Sequence, residues 1–329
     1  MNRLLLVSLS VLLIAGGVVA QDEAVTLRYR FVPQQVISQE VSGTGTIPLT
    51  VAIGAATGMG EDLTVDLLMD LKLGLTYTCQ TVEADGQALV TMQTPLMVVR
   101  TATNMGGQPV DSVITWEQGT LKLLVNGQPH PEDDNTRKLA ALLGLAIPMK
   151  MDPVGHSQPT PEGQKALQGL GALANFSAVD LPQLSALTSR LPDQPVKVGD
   201  TWEVAAEDNK EGANLTGNST FKLAGYEQYQ GVRCARIEGQ ARLSGTGQSM
   251  PTPLGLPVQT HITRMDIALN FIHHFDPAAG QSVSTEINLA QTASMILTTG
   301  GPMGPMQLPA AIENAQIHLK ISRQQPAAP

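Results

Sequence analysis

Leu63-Thr64-Val65-Asp66-Leu67-Leu68-Met69-Asp70-Leu71-Lys72-Leu73-Gly74-Leu75-Thr76-Tyr77-Thr78-Cys79-Gln80 carries an apolar residue at every odd position and a mostly polar one at the even positions. A repeat of two is the mark of a β-strand with one buried face. At ~3.3 Å per residue this run would extend for about 55–65 Å, so a bulge or bend is expected, with Gly74 the favoured place for it. Glu83-Ala84-Asp85-Gly86 then turns the chain, and Ala88 to Arg100 returns as the second arm of a hairpin.

The same plan recurs downstream. Met265, Ile267, Leu269, Phe271 and His273 alternate with Arg264, Asp266, Asn270 and His274, Asp276 to Gly280 is the turn, and Val283 to Thr299 returns. Gly86-Gln87 stands 20 positions before Gly106-Gly107, and Gly280-Gln281 stands 20 before Gly300-Gly301. Ser42-Gly43-Thr44-Gly45 is echoed by Ser244-Gly245-Thr246-Gly247. These coincidences predict an internal duplication. The expected fold is mainly β: two duplicated antiparallel β-meanders forming a curved sheet, half-barrel or sandwich, with a central helical insert.

Working outward, Met1 to Ala20 reads as a secretory signal peptide (residues 1–20), with Arg3 before an apolar stretch and small residues ahead of Gln21. Residues 21–130 hold the first repeat, 131–194 the helical insert, 195–323 the second repeat and 324–329 a frayed tail. Ala24 to Phe31 is expected to open the first repeat as a strand, with Val25, Leu27, Tyr29 and Phe31 on one face and Arg28 and Arg30 on the other. Beyond Pro131 the period changes. Glu132, Asp133 and Asp134 precede Leu139, Leu142 and Leu143, as at a helix start whose macrodipole favours acid. Pro161 to Ala174 and Leu181 to Arg190 suggest two more helices.

Composition excludes several functions. The net charge of −9, with no basic block, argues against nucleic acid. With only 2 Trp, 4 Tyr and 5 Phe there is little to stack sugars on. The chain contains no Gly-x-Ser-x-Gly, phosphate-binding glycine loop, His-Glu-x-x-His or Cys-x-x-Cys, so catalytic chemistry lacks its usual scaffolds and no cofactor is expected. His273 and His274 adjoin in a strand, point to opposite faces and make a poor metal pair. No segment beyond the leader approaches spanning length, so no transmembrane anchor is expected after signal cleavage.

Leu191-Pro192-Asp193-Gln194-Pro195-Val196-Lys197-Val198-Gly199-Asp200-Thr201-Trp202-Glu203 resembles a box of uncharacterised secreted bacterial β-proteins, in which a Pro-Val-Lys-Val-Gly-Asp-Thr-Trp run leads into the second half. Leu27 to Phe31 and the Phe275-Asp276 turn with Gly280 fit the same pattern. The resemblance implies a secreted or periplasmic location and a β fold, and brings no activity with it. More loosely, a curved antiparallel sheet with helices on one face is similar to the half-barrel of periplasmic lipoprotein carriers, an analogy of architecture alone.

Alternate connections of a meander emerge at opposite ends of its sheet, so the order of the turns along the chain sorts the loops into two groups. One end receives short polar turns. The other receives 48–60, 103–109, 247–258 and 300–309, all apolar and each containing methionine, the residue of adaptable hydrophobic surfaces. Leu49, Ile53, Met59, Met105, Met250, Leu254, Leu256, Met303 and Met306 are the candidate apolar binding rim; the alternative is that these loops fold over the helices and cap the core. Cys79 and Cys234 fall near the same end of their repeats, so a disulfide between them is feasible in an exported chain, the alternative being two buried thiols. The leading functional reading is a non-catalytic binding or carrier protein for lipid, other hydrophobic cargo or an envelope partner. A structural protein of the envelope without a small ligand is the second reading, and an enzyme with an unrecognised site the third.

Overall fold

The computed structural model describes residues 23–53, 61–105, 108–168, 187–210, 213–247, 258–299 and 306–324. The first half contributes β1 (Val36–Val51), β2 (Leu63–Val82), β3 (Ala88–Met105), β4 (Gln108–Glu117), β5 (Thr120–Val125) and β6 (Gln128–Pro129). A connecting region follows with α1 (Asp134–Leu143), β7 (Ile147–Met151), β8 (Ser157–Pro159) and α2 (Pro161–Gln168). The second half adds β9 (Thr201–Lys210), β10 (Ala213–Tyr229), β11 (Val232–Gly247), β12 (Val258–Asp276), β13 (Gln281–Thr299) and β14 (Met306–Arg323).

All the strands belong to one open antiparallel sheet of 14, in the order β6-β5-β4-β3-β2-β1-β14-β13-β12-β11-β10-β9, with β7 and β8 branching from β3. Two meanders thus lie side by side, joined where β1 pairs with β14 from Gln39↔Arg323 to Val51↔Ala310. The echoing strands β2 and β12 run the same way, with β1, β14 and β13 between them. Because β6 ends at one edge and β9 begins at the other, the chain between them must cross the whole sheet. On its way it adds β7 to the part of β3, Ala88 to Met92, that lies beyond the reach of β4.

The β2–β3 pairing slips register between Gly74 and Thr76, beside the expected glycine but with the extra residue on β3, and again between Cys79 and Thr81, where Gln80 of β2 is the extra residue. Along it Thr64, Asp66, Leu68, Asp70 and Lys72 face solvent. Leu73, Leu75 and Cys79 are buried on the opposite, core face. At the seam the glycines of β1 let its neighbour lean in, since a Cβ on Gly43 would stand 2.3 Å from the Leu319 side chain. Helix α1 starts on a capping box in which Asp133 accepts the Thr136 N–H and Thr136 accepts the Asp133 N–H, both at 2.8 Å. The acid that opens this helix therefore caps it.

Two sequence expectations are corrected. Residues 24–31 do not open the sheet: they form a strap across the core face of the second half. Val25 bridges Val196, Tyr29 donates its N–H to Pro153 O and Arg30 donates its N–H to Gly280 O. Leu27, fully buried, packs in one cluster with Leu187, Leu191, Phe221, Ile237 and Phe275. The alternation is real, but its apolar face covers a sheet formed by other strands. The second correction concerns the cysteines. Both are free and buried, Cys79 in β2 and Cys234 in β11. Five strand spacings separate β2 from β11, about 24 Å along the sheet at ~4.8 Å each, against the ~7 Å limit between Cα atoms for a bridge.

Candidate apolar binding face

Register assigns a side to every residue of the sheet. Val41, Gly43, Gly45, Ile47, Leu49 and Val51 of β1 stand opposite Leu73, Leu71, Met69, Leu67, Val65 and Leu63 of β2. The row continues through Met97 and Val99 of β3 to Trp116 and Ile114 of β4 and Leu121 and Leu123 of β5. In the other direction it passes to Leu319 and Ile317 of β14, then Ile287 and Leu289 of β13, then Phe271 and Leu269 of β12. One apolar face therefore runs the width of the sheet.

The two halves of this face are covered to different extents. In the second half Met265, Ile267, Leu269, Phe271, Ile287 and Leu289 are all buried, beneath a core that includes Leu27, Leu187 and Leu191. In the first half burial is concentrated at the end near the polar turns, where Leu73, Leu75, Val90, Ile147 and Met149 pack, with Val51 and Ser112 buried farther along. Toward the opposite end Ile47, Leu49, Leu63, Val65, Leu67, Met69, Val99, Ile114, Leu121 and Leu123 are half-buried and keep part of their surface in water. Helix α1 packs over β5 and β3 with Gly144 beside the Trp116 ring, and so covers only the inner end of this area. The result is a patch of large aliphatic side chains, with Met69 and Met97 among them, that keeps contact with water.

The strands that lead into the four methionine-bearing connections end together. Val51, Leu63, Met105, Gln108, Gly247, Val258, Thr299 and Met306 terminate their strands at one end of the sheet, the end beside the half-buried patch. Of the rim residues, Leu49 lies on the core face of β1, packed against the main cluster together with Ile53. Met306 opens β14 and is 40% exposed. Met105 closes β3. Met59, Met250, Leu254, Leu256 and Met303 lie outside the described residues. Sequence reasoning picks the loop end and misses the adjoining face, whose residues read as core because they alternate like core.

Polar groups on the core face are few. Ser112 is buried there, and Thr103 keeps its Oγ1 buried without a hydrogen-bond partner among the described residues. In the second half His273 is 1% exposed, its Nδ1 lies 2.8 Å from Thr285 Oγ1, and its Nε2 has no partner among the described residues. Burial, assisted by the neighbouring His274, holds its pKa down at about 3, so the ring is neutral. On the outer face His274 Nε2 stands 2.6 Å from Glu227 Oε1 and its ring stacks on Tyr229 at 3.9 Å. Lys320 donates to Glu286 at 2.9 Å, which raises the lysine and lowers the acid. The two histidines thus face opposite ways. Among the described residues no three His, Cys, Asp or Glu side chains gather to hold a metal ion. Burial pushes the Cys79 thiol up, and burial with Asp276 and Glu227 pushes Cys234 to about 11, so both are weak nucleophiles. No helix among the described residues is long and apolar enough to cross a membrane.

Comparison with known proteins places the chain near no family. No protein-family model and no curated protein matches it. Among solved structures, lipovitellin, described for its lipid–protein interactions, aligns over 91% of this chain with 10% identity and a TM-score of 0.34. The aligned part is 26% of the lipovitellin chain. An outer membrane channel from Pseudomonas putida F1 aligns over 90% of this chain and 98% of its own, at 7% identity and a TM-score of 0.24. A mutant porin from Rh. blastica aligns over 87% of this chain and 100% of its own, at 9% identity and a TM-score of 0.20. Identities and overlaps this low assign no residue a counterpart in those proteins.

Proposed function

We propose that the protein is an extracytoplasmic, non-catalytic binding or carrier protein for hydrophobic cargo, which it holds on the core face of β1 to β5. One observation carries this reading. A row of aliphatic side chains continuous with a fully buried core stays half-buried over Leu63 to Leu71 and its cross-strand neighbours. Monomeric soluble proteins keep contiguous apolar patches small, and the larger ones mark places where a ligand or partner completes the burial. The surface is aliphatic with methionine, and it offers an acyl chain contact area without directional demands. The leader-like Met1 to Ala20 supports a location outside the cytoplasm.

The test uses the alternation of β2 itself. Leu67 and Leu68 are adjacent, one on the core face and the other on the outer face, where it is 52% exposed. A dansyl-labelled long-chain fatty acid is titrated into the mature protein and into Leu67→Asp and Leu68→Asp. Placing a charge where the acyl chain lies weakens binding by at least about tenfold in Leu67→Asp, and Leu68→Asp binds like the parent protein. Equal binding by all three, with the fold intact by circular dichroism, would refute the reading.

A further inference from the structure

The structure assigns a second site, for an extended peptide bearing basic side chains, along the open edge of β9. It rests on no part of the apolar face. The chain enters β9 through the box from Arg190 to Val204, which forms a wide hairpin with two separated arms. One arm, Leu191 to Val196, is held away from β9 by the strap: Val196 and Val25 exchange backbone hydrogen bonds at 2.8 and 2.9 Å, and the Arg28 guanidinium donates to Pro192 O and Asp193 O. The turn between the arms is closed by Asp200, which donates its N–H to Lys197 O at 3.0 Å and accepts the Lys197 N–H on Oδ2 at 2.8 Å. Between the arms lies a cavity of about 700 Å³ lined by both.

Among the described residues the wall formed by β9 is the unpaired edge of a 14-stranded sheet. Leu223 donates its N–H to Asp200 O at 3.1 Å and accepts the Gly199 N–H at 2.7 Å, which fixes the phase of the β9–β10 ladder. Trp202 and Val204 then turn their N–H and C=O groups toward β10, and Thr201, Glu203 and Ala205 turn theirs to the open edge. An edge with its ladder groups free is the template for an added strand. The facing arm contains Pro192 and Pro195, which have no N–H, so β9 supplies most of the ladder.

Charge selects the occupant. The cavity is lined by Asp193, Asp200 and Glu203 against Arg190 alone. Glu203 is exposed on the strand itself, where an acid discourages pairing between two copies of this edge and favours a strand with Lys or Arg. Trp202, stacked on Phe221 at 5.4 Å and donating its indole N–H to Arg190 O at 3.2 Å, gives the groove a rigid apolar floor.

The test is fluorescence anisotropy on the full chain with a fluorescein-labelled peptide of alternating Thr and Lys, and with versions carrying Gln or Glu in place of Lys. The Lys peptide binds saturably, the Gln peptide at least about fivefold more weakly, and the Glu peptide not at all. Glu203→Gln narrows the preference for Lys. Glu203→Pro also deletes an outward N–H without touching the β9–β10 ladder and weakens both the Lys and Gln peptides by about tenfold relative to Glu203→Gln. Unchanged circular dichroism and an unchanged urea unfolding midpoint in Glu203→Pro show that the fold persists. Equal affinity of Glu203→Pro and Glu203→Gln, no preference among the three peptides, or self-association of the chain in place of peptide binding would overturn the site.

Discussion

The core faces of β2 and β12 carry the same alternation of large aliphatic side chains, yet Leu269 is 2% exposed while Leu67 and Met69 keep a share of their surface in water. The strands are alike in length and direction, and what differs is their covering. The strap through Leu27 and the stretch from Leu187 to Val196 lie on the second half, and among the described residues the crossover reaches the first half at its inner end, through β7 and α1. An alternating strand declares which of its faces is apolar. It does not declare what will cover that face.

The contrast yields graded outcomes. Leu269→Ala opens a cavity in a closed core and should cost about 2–5 kcal/mol in urea unfolding, whereas Leu67→Ala removes a side chain already part-solvated and should cost about 1 kcal/mol or less. Similar losses at the two positions would erase the distinction between the halves. The next effect depends on pH. His273 is neutral when folded, with its pKa held at about 3, and gains a proton near pH 6.5 once unfolded. Stability should therefore fall as pH drops from about 6.5 toward 3, by up to about 1.4 kcal/mol per pH unit, and His273→Leu should remove that slope. Parallel pH profiles for the parent and the variant would show that the ring is not enclosed as described. On the outer face Lys320→Gln should cost under about 1 kcal/mol, because the pair with Glu286 is more than a third exposed. The Glu286 contribution is present above the ordinary carboxylate range and is lost as pH falls through it, since the folded acid is the stronger one. The last outcome is a count of thiols. Alkylation in denaturant without reductant should add two labels, on Cys79 and Cys234, and the absence of label would restore the bridge that the strand order forbids.

Much of the sheet is legible in the chain. The alternation from Leu63 to Cys79 and the turn at Gly86 are local properties, and local pattern suffices for them, whereas the bulge within β2 falls at Gln80 and the slip beside Gly74 belongs to β3. The repeated spacing of glycines points to two meanders but leaves open whether they pack face to face or join edge to edge, as β1 and β14 do. The strap is misread because Val25 to Phe31 alternates as well as any strand, and pattern alone cannot say whether such a segment pairs within a sheet or lies across one. Strand β9 escapes notice, although Trp202, Val204 and Ala206 alternate with Glu203, Ala205 and Glu207, because the turn residues of the box run straight into it and hide where its period begins. The supposed loops are partly strand: Pro48 to Val51 belongs to β1, Thr103 to Met105 to β3 and Met306 to Pro309 to β14. The half-buried face cannot be read from the chain at all. Its side chains alternate as buried ones do, and differ from them in which of the described segments lie over them.

Chemical footprinting of β2 tests the central claim most directly. In Met69→Cys and Leu68→Cys the new thiols sit on opposite faces of one strand, with the buried Cys79 and Cys234 as slow internal references. Both new thiols should react with iodoacetamide in the free protein, and saturating fatty acid should slow Met69→Cys by about tenfold or more while leaving Leu68→Cys unchanged. Equal protection of the two, or a Met69→Cys as inert as Cys79 before any ligand is added, would contradict it.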